Sequence, residues 1–106
     1  MKFAIFTHVP WPEGTDPVEI FARTSEQIVY AEELGFHSAW FAEHHFSRYS
    51  MGSSSLVLAS SIAARTDKIR LGTGVLVPNL HNPIRLAEDA ATLDVVSNGR
   101  LDLGFG

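Results

Sequence analysis

The segment Ser38–His45 reads S-A-W-F-A-E-H-H, and it changes abruptly from apolar to ionisable side chains. Its aromatic pair favours an extended backbone, so we predict a strand over Ser38–Ala42 that ends where the triplet Glu43–His45 begins. Ionisable side chains at the exit of a buried strand are typical of the functional sites of parallel α/β proteins. An imidazole titrates near neutrality, so it can donate or accept a proton at such a site.

Three further apolar segments, Lys2–Thr7, Ile69–Val77 and Leu101–Phe105, are also predicted to be strands. The four predicted strands begin at positions 2, 38, 69 and 101, so successive starts are 36, 31 and 32 residues apart. A (β/α)8 barrel of about 250 residues has a repeat of roughly 31 residues. Right-handed crossovers make such strands parallel and bring their carboxyl ends to one edge. We therefore predict an α/β fold with a parallel sheet in the order 1-2-3-4, corresponding to the first four strands and three helices of a TIM barrel.

The predicted helices lie between these strands. Asp16–Pro17 and Asn82–Pro83 each provide an N-cap acceptor followed by proline at the first helical position, while Gly35 and Asn98–Gly99 provide stops. The segment Ser54–Arg65 is apolar or small on nearly all sides. Such a helix is expected to lie between the sheet and a second layer, and we predict that both this segment and Pro83–Ser97 pack against another chain.

Composition restricts the class of protein. A chain of 106 residues is sufficient for one domain. A net charge of -4 without a Lys/Arg cluster argues against a nucleic-acid or anionic-membrane partner. Cysteine is absent, which excludes a disulfide framework and a Cys-ligated metal. The sequence shows no secretory signal and no apolar run long enough to span a bilayer, so a cytoplasmic location is expected.

Four parallel strands leave unpaired edges on the first and the fourth. A barrel removes those edges only when four more strands close it. Residues 1–106 are therefore expected to form the N-terminal half of a single barrel domain.

Four blocks of sequence resemble one known family. They are A-E-H-H-F at Ala42–Phe46, I-R-L-G-T-G-V at Ile69–Val75, H-N-P-I-R-L-A-E-D-A at His81–Ala90, and L-D-V-V-S-N-G-R-L-D-L-G-F-G at Leu93–Gly106. Together, and in this order, they are similar to the N-terminal part of the bacterial luciferase-like flavin-dependent monooxygenases.

The resemblance implies a TIM-barrel enzyme that uses reduced FMN and O2 to oxidise an aldehyde or another small organic substrate. A flavin reductase would supply the reduced flavin, and the protein would form a homo- or heterodimer. Three alternatives stay open: an F420-dependent oxidoreductase of the same family, a non-catalytic flavin-binding protein, and a metal-dependent TIM-barrel hydrolase.

The resemblance also implies site residues. His44 matches the family's catalytic histidine, while Gly74 and Val75 match a bulge that lies against the isoalloxazine, often with a non-prolyl cis peptide bond. Gly106, together with Gly104, is expected either to allow close approach of the flavin or to form a tight turn. It stands where the larger luciferase subunit has a reactive cysteine, which favours a general luciferase-like monooxygenase over a light-emitting one.

The neighbouring ionisable residues have several interpretations. Adjacent strand residues point to opposite faces, so His44 and His45 are not expected to share one pocket, and the absence of H-x-H argues against a metal site. Glu43 either orients a neighbour or accepts backbone hydrogen bonds at the rim. His8 either lines the same pocket or lies in a solvated loop, and His81 is expected to be structural or interfacial.

Overall fold

The computed structural model describes residues 1–106 as one parallel four-stranded sheet with three α-helices against one face. The strands are β1 (Ala4–Thr7), β2 (Ser38–Phe41), β3 (Arg70–Thr73) and β4 (Leu101–Asp102), and the helices are α1 (Pro17–Glu33), α2 (Ser55–Ala63) and α3 (Pro83–Val96). A 3-10 turn at Pro78–Leu80 precedes α3. The strand order is β1-β2-β3-β4 and every pair is parallel, so the predicted topology is confirmed.

The strands are shorter than the predicted segments, and the clearest difference lies at the end of β3. This strand was expected to continue to Val77, but regular pairing with β4 ends early and a single bridge, Leu76 to Phe105, follows. Between these points the Thr73 hydroxyl makes the hydrogen bonds that backbone groups make in a regular ladder. Its Oγ1 donates to the Gly104 carbonyl oxygen at 2.9 Å and accepts from the Gly104 N–H at 2.9 Å. The Thr73 side chain therefore connects the two strands beside the bulge that the resemblance implies at Gly74 and Val75.

Local capping explains where the helices begin and end. The Asp16 side chain accepts a hydrogen bond from the Val18 N–H at 2.9 Å, and Asn82 accepts one from the Ile84 N–H at 3.0 Å. Gly35 follows α1 with a φ of +82°, a left-handed conformation that glycine adopts without a steric penalty. The predicted start signals and the glycine stop are confirmed.

The core lies between the helices and one face of the sheet. Its fully buried side chains include Phe41 and Leu71 from the strands, with Ile28, Ile62 and Leu93 from the three helices. Helix α3 buries only a narrow stripe, formed by Leu86, Ala90 and Leu93, and leaves several apolar residues exposed.

The opposite face of the sheet carries a different set of side chains. Phe6 is 59% exposed there, and the Trp40 ring lies where a β-carbon on Gly72 would be. The absence of a side chain at Gly72 therefore allows the indole to lie directly against the strand. Arg70 forms a two-point ion pair with Asp102, with Nε to Oδ2 at 2.8 Å and Nη2 to Oδ1 at 2.6 Å.

Two charged residues fasten the amino edge of the sheet. The Glu32 carboxylate accepts hydrogen bonds from the N–H groups of Asp67, Lys68 and Ile69 at 2.6–3.1 Å, which holds the loop that enters β3. The buried Arg100 guanidinium donates to backbone carbonyls of the same region, including that of Ile69 at 3.0 Å. Neither set of hydrogen bonds was predicted from the sequence, because each joins residues more than thirty positions apart.

None of the three helices combines the length and the apolar sequence that a membrane crossing requires.

Candidate functional site

The carboxyl ends of the four strands meet at one edge of the sheet, as parallel pairing requires. Backbone hydrogen bonds continue beyond the strands: the Gly74 N–H donates to the Phe41 carbonyl oxygen at 2.8 Å, and the Leu76 N–H donates to that of Gly104 at 2.8 Å. The Gly106 N–H in turn donates to the Leu76 carbonyl oxygen at 3.0 Å. The segments that were predicted to converge therefore form one continuous rim.

Glu43 lies at the centre of this rim and is 5% exposed. Its Oε1 lies 2.8 Å from His45 Nε2 and 3.0 Å from His81 Nε2, while its Oε2 accepts the Val77 N–H at 2.9 Å. Both proposed roles, orientation of a neighbour and acceptance of a backbone hydrogen bond, are thus combined in one side chain. His81 is structural, as expected, through a contact that the sequence did not indicate.

The environment of Glu43 favours its ionised form. Burial by itself raises the pKa of the Glu43 carboxyl, because the apolar surroundings solvate a carboxylate poorly. The hydrogen bonds from the Val77 N–H, His45 and His81 outweigh that effect and hold the pKa below its ordinary value. At neutral pH, Glu43 is therefore a fixed acceptor and not a proton donor.

His44 points away from this cluster, in agreement with the alternation expected of adjacent residues. Its ring meets Tyr49 edge-on, with 5.2 Å between ring centroids, and its backbone N–H donates to the Gly52 carbonyl oxygen at 3.2 Å. Tyr49 stacks on His8 with 4.5 Å between centroids. The exposed His44 ring thus packs against Tyr49, which itself stacks on His8. These contacts connect the exits of β1 and β2.

An open depression of about 350 Å³ lies beside His44. Trp11 and Arg48 form part of its wall, with the Arg48 guanidinium carbon 4.4 Å from the Trp11 ring centroid. This depression is large enough for a small organic molecule.

Gly74 and Val75 lie on the neighbouring exit, and the peptide bond that joins them is cis, as the resemblance implies. Neither the Gly74 carbonyl nor the Val75 N–H forms a hydrogen bond within the chain. Gly106 packs directly against the Val75 side chain, so that a β-carbon on Gly106 would overlap it. The structure therefore brings Gly74, Val75 and Gly106 together at the ends of β3 and β4.

The surroundings of Gly74 suit a flat, largely apolar group. A β-carbon built on Gly74 would lie 3.5 Å from the Phe6 ring and 3.6 Å from the Trp40 ring, in ordinary van der Waals contact with both, so Gly74 lies beside aromatic surface. Phe6 and Phe105 are both more than half exposed along this edge. An aromatic ring system with polar atoms at its rim could stack here and satisfy the free peptide groups. These residues fit an isoalloxazine.

No three His, Asp or Glu side chains in the chain are arranged to hold a metal ion. The sequence did not indicate Tyr49 as a neighbour of His44, nor the Thr73 hydroxyl as the closure of the bulge. A Tyr in a turn-prone segment carries no pattern that distinguishes it from a surface residue, so only the fold identifies its partner.

Comparison with known proteins identifies relatives of this chain. The luciferase-like monooxygenase family matches the chain over residues 1–106. The oxygenase component of a flavin-dependent trigonelline monooxygenase from Acinetobacter baylyi is 32% identical over 106 residues, which are 99% of this chain and 29% of that protein. The chain belongs to the luciferase-like monooxygenase family.

Solved structures share the fold. The monooxygenase RslO1 from Streptomyces bottropensis superposes with a TM-score of 0.94 at 37% identity, covering 100% of this chain and 33% of that one. The coenzyme F420-dependent tetrahydromethanopterin reductase from Methanopyrus kandleri gives 0.76 at 30% identity, covering 99% and 26%. The chain spans about a third of the length of the curated relatives that it matches. It therefore has the fold of the first four strands and three helices of a luciferase-like TIM barrel.

Proposed function

We propose that residues 1–106 are the N-terminal half of a single barrel domain that uses reduced FMN and O2 to oxidise a small organic substrate such as an aldehyde. One observation carries this proposal: the Gly74 carbonyl and the Val75 N–H have no hydrogen-bond partner within the chain and lie near the exposed Phe6 ring, on the same sheet edge as the exposed His44. A flavin contact and a proton-transfer group are the two parts that such a reaction needs from this chain.

In this proposal Gly74, Val75 and Gly106 form one wall of the flavin site. When bound, the reduced flavin supplies the two electrons that reduce O2, so that one oxygen atom enters the substrate and the other leaves as water. The chain contributes a flat surface and two backbone hydrogen-bonding groups. Because Gly106 has no side chain, Val75 can lie directly against it and leave its other side toward the flavin.

His44 is proposed as the acid/base residue. Its ring packs against Tyr49 and makes no hydrogen bond within the chain, so both nitrogens are available to a ligand. A positioned histidine transfers protons efficiently near neutral pH. The depression beside His44 is proposed to receive the organic substrate.

Two protein partners are proposed. A separate flavin reductase is expected, since the trigonelline relative is the oxygenase component of its system. A homo- or heterodimer is expected through α2 and α3, because α3 exposes Ile84 and Val95 and α2 exposes Val57, all by more than two thirds.

An F420-dependent oxidoreductase is the second candidate. The 30% identity to the F420-dependent reductase over nearly the whole chain favours it. A hydride transfer from F420 would require no O2, so the two candidates differ in their co-substrate.

The test uses the natural gene product that contains these residues. It is mixed anaerobically with reduced FMN or with reduced F420, and O2 is then admitted in the presence of a panel of aldehydes. Substrate oxidation that requires both reduced FMN and O2 supports the monooxygenase. Reduction of a substrate by reduced F420 in the absence of O2 would overturn it in favour of the second candidate. Tight flavin binding without turnover of any substrate would instead indicate a non-catalytic flavin-binding protein.

A further inference from the structure

We propose that Glu43 is a positioning residue that fixes His44 relative to the Gly74–Val75 segment. This role rests on the proposed function, because it concerns the geometry between the acid/base residue and the flavin wall. In this role Glu43 affects the reaction through other residues and does not itself contact the substrate or the flavin.

The connectivity of the carboxylate supports this role. Oε1 lies 2.8 Å from His45 Nε2, so the chain is held on both sides of His44 by one hydrogen bond. Oε2 accepts the Val77 N–H at 2.9 Å, and Val77 lies two residues beyond Val75. A single buried side chain therefore joins the exit of β2 to the exit of β3.

A third contact of the Glu43 carboxylate reaches the start of α3. His81 Nε2 lies 3.0 Å from the same Oε1, and His81 immediately precedes the N-cap Asn82. Three donors thus converge on two carboxylate oxygens. Only an ionised carboxylate accepts from all of them, since a glutamine amide would present its own N–H groups to at least one donor.

The contacts of Glu43 with His45, Val77 and His81 lie beyond the sheet, where regular strand pairing has ended. The β2–β3 ladder runs from Ser38 and Arg70 to Phe41 and Thr73, and the Gly74 N–H extends it by one hydrogen bond. Loss of the Glu43 contacts leaves that ladder intact. We expect the exit of β2, which carries His44, to be less well fixed relative to the exit of β3. A displacement of about 1 Å between reacting groups is sufficient to slow a reaction by roughly a hundredfold.

Glu32 provides a matched control. It too is a carboxylate that accepts backbone N–H groups across more than thirty residues, and its pKa is also held low. It fastens the loop before β3 at the opposite end of the sheet. If Glu43 only stabilises the fold, Glu32→Gln and Glu43→Gln should change turnover to a similar extent. If Glu43 positions His44, only Glu43→Gln should lower turnover.

The experiment compares both variants with the wild-type gene product by two measurements. Amide hydrogen exchange without flavin is expected to accelerate at Val77 in Glu43→Gln, and at Ile69 in Glu32→Gln. Turnover with reduced FMN and O2 is expected to fall by about 10- to 100-fold only in Glu43→Gln. In that variant more of the flavin should be oxidised with release of H2O2 instead of product, while the KM for reduced FMN changes little.

Three outcomes have distinct meanings. The pattern above establishes the positioning role. Faster exchange at Val77 with unchanged turnover and H2O2 yield, or equal losses of turnover in both variants, overturns it while the proposed function stands. A wild-type protein that oxidises no substrate with reduced FMN and O2 overturns the proposed function itself, and the positioning role with it.

Discussion

At the scale of single residues, His44 and Glu43 show how neighbouring side chains can acquire different tasks. Glu43 is buried and hydrogen-bonded on both oxygens, so it is fixed and ionised. His44 is exposed and has no polar partner for its ring. The sequence led us to expect that His44 and His45 would not share one pocket. The partners of Glu43 could not be predicted, because His81 is 38 positions away and no local pattern relates the two residues.

Replacement of His44 by alanine is expected to lower turnover of the natural gene product by roughly 10²–10⁴, the usual contribution of a positioned general acid or base. Reduced-flavin affinity should change much less, because the proposed flavin wall is formed by other residues. Stopped-flow absorbance with reduced FMN and O2 measures both quantities. His37→Ala, at the amino edge of the sheet, is the control and should retain wild-type turnover. Equal rates in His44→Ala and the wild type would remove His44 from the mechanism.

At the scale of elements, the sequence was most informative where a local signal fixes the backbone. The Asp-Pro and Asn-Pro starts of α1 and α3 and the glycine after α1 were all found where predicted. Strand ends were predicted less well, because they depend on the neighbouring strand. The early end of β3 arises from the Thr73 hydroxyl and its contacts with Gly104, which lies 31 residues away.

The two glycines of the β3 segment are expected to respond differently to the same substitution. Gly72→Ala places a methyl group inside the Trp40 ring, and overpacking of this kind typically costs about 1–3 kcal/mol of the free energy of unfolding. Gly74→Ala meets only ordinary contacts at 3.5 Å or more, so its effect on stability should be much smaller. Urea unfolding of the two variants checks this order. Equal stabilities would show that Trp40 can move away from Gly72 without penalty.

Helix α3 carries a second apolar stripe that the core does not use. Ile84, Ala87, Ala91 and Val95 follow helical spacing and are all exposed. If this stripe packs against a second chain, as proposed, Ile84→Glu should shift the natural gene product from dimer to monomer, because a carboxylate would be buried at the interface. Sedimentation velocity provides the measurement. Val18→Glu, at an equally exposed position on α1, should stay dimeric, and a wild-type monomer would contradict the proposed interface.

At the scale of the whole molecule, three ionised carboxyls hold segments that are distant in sequence. Glu32, Glu43 and Asp102 all have pKa values below their ordinary range. For Glu32, burial raises the pKa, but the backbone N–H groups outweigh it, and for Asp102 the hydrogen bond from Arg70 is the main cause of the lowering. Each carboxyl therefore binds a proton more readily in the unfolded chain than in the folded one.

The sign of the pH dependence follows from that difference. The stabilisation is fully present above the ordinary carboxyl pKa of about 4 and is lost as the pH falls through the lower folded values. Urea midpoints measured from neutral to acidic pH should therefore decline in this range. Glu32→Gln should flatten the decline by removing one such group, whereas Glu26→Gln, on the exposed side of α1, should leave it unchanged. A midpoint independent of pH would contradict the assigned carboxyl environments.

The last expectation concerns a polypeptide of residues 1–106 alone. Its sheet leaves the outer edges of β1 and β4 unpaired and exposes Phe6 on the open face, so the isolated polypeptide should self-associate or be partly molten. It presents one wall of the proposed flavin site, and TIM barrels commonly bind phosphate after strands seven and eight. Weak binding of reduced FMN and no turnover are therefore expected, to be measured by fluorescence titration and an aldehyde assay on the same sample. Stoichiometric binding with turnover by a monomer would show that these four strands form a complete site without the rest of a barrel.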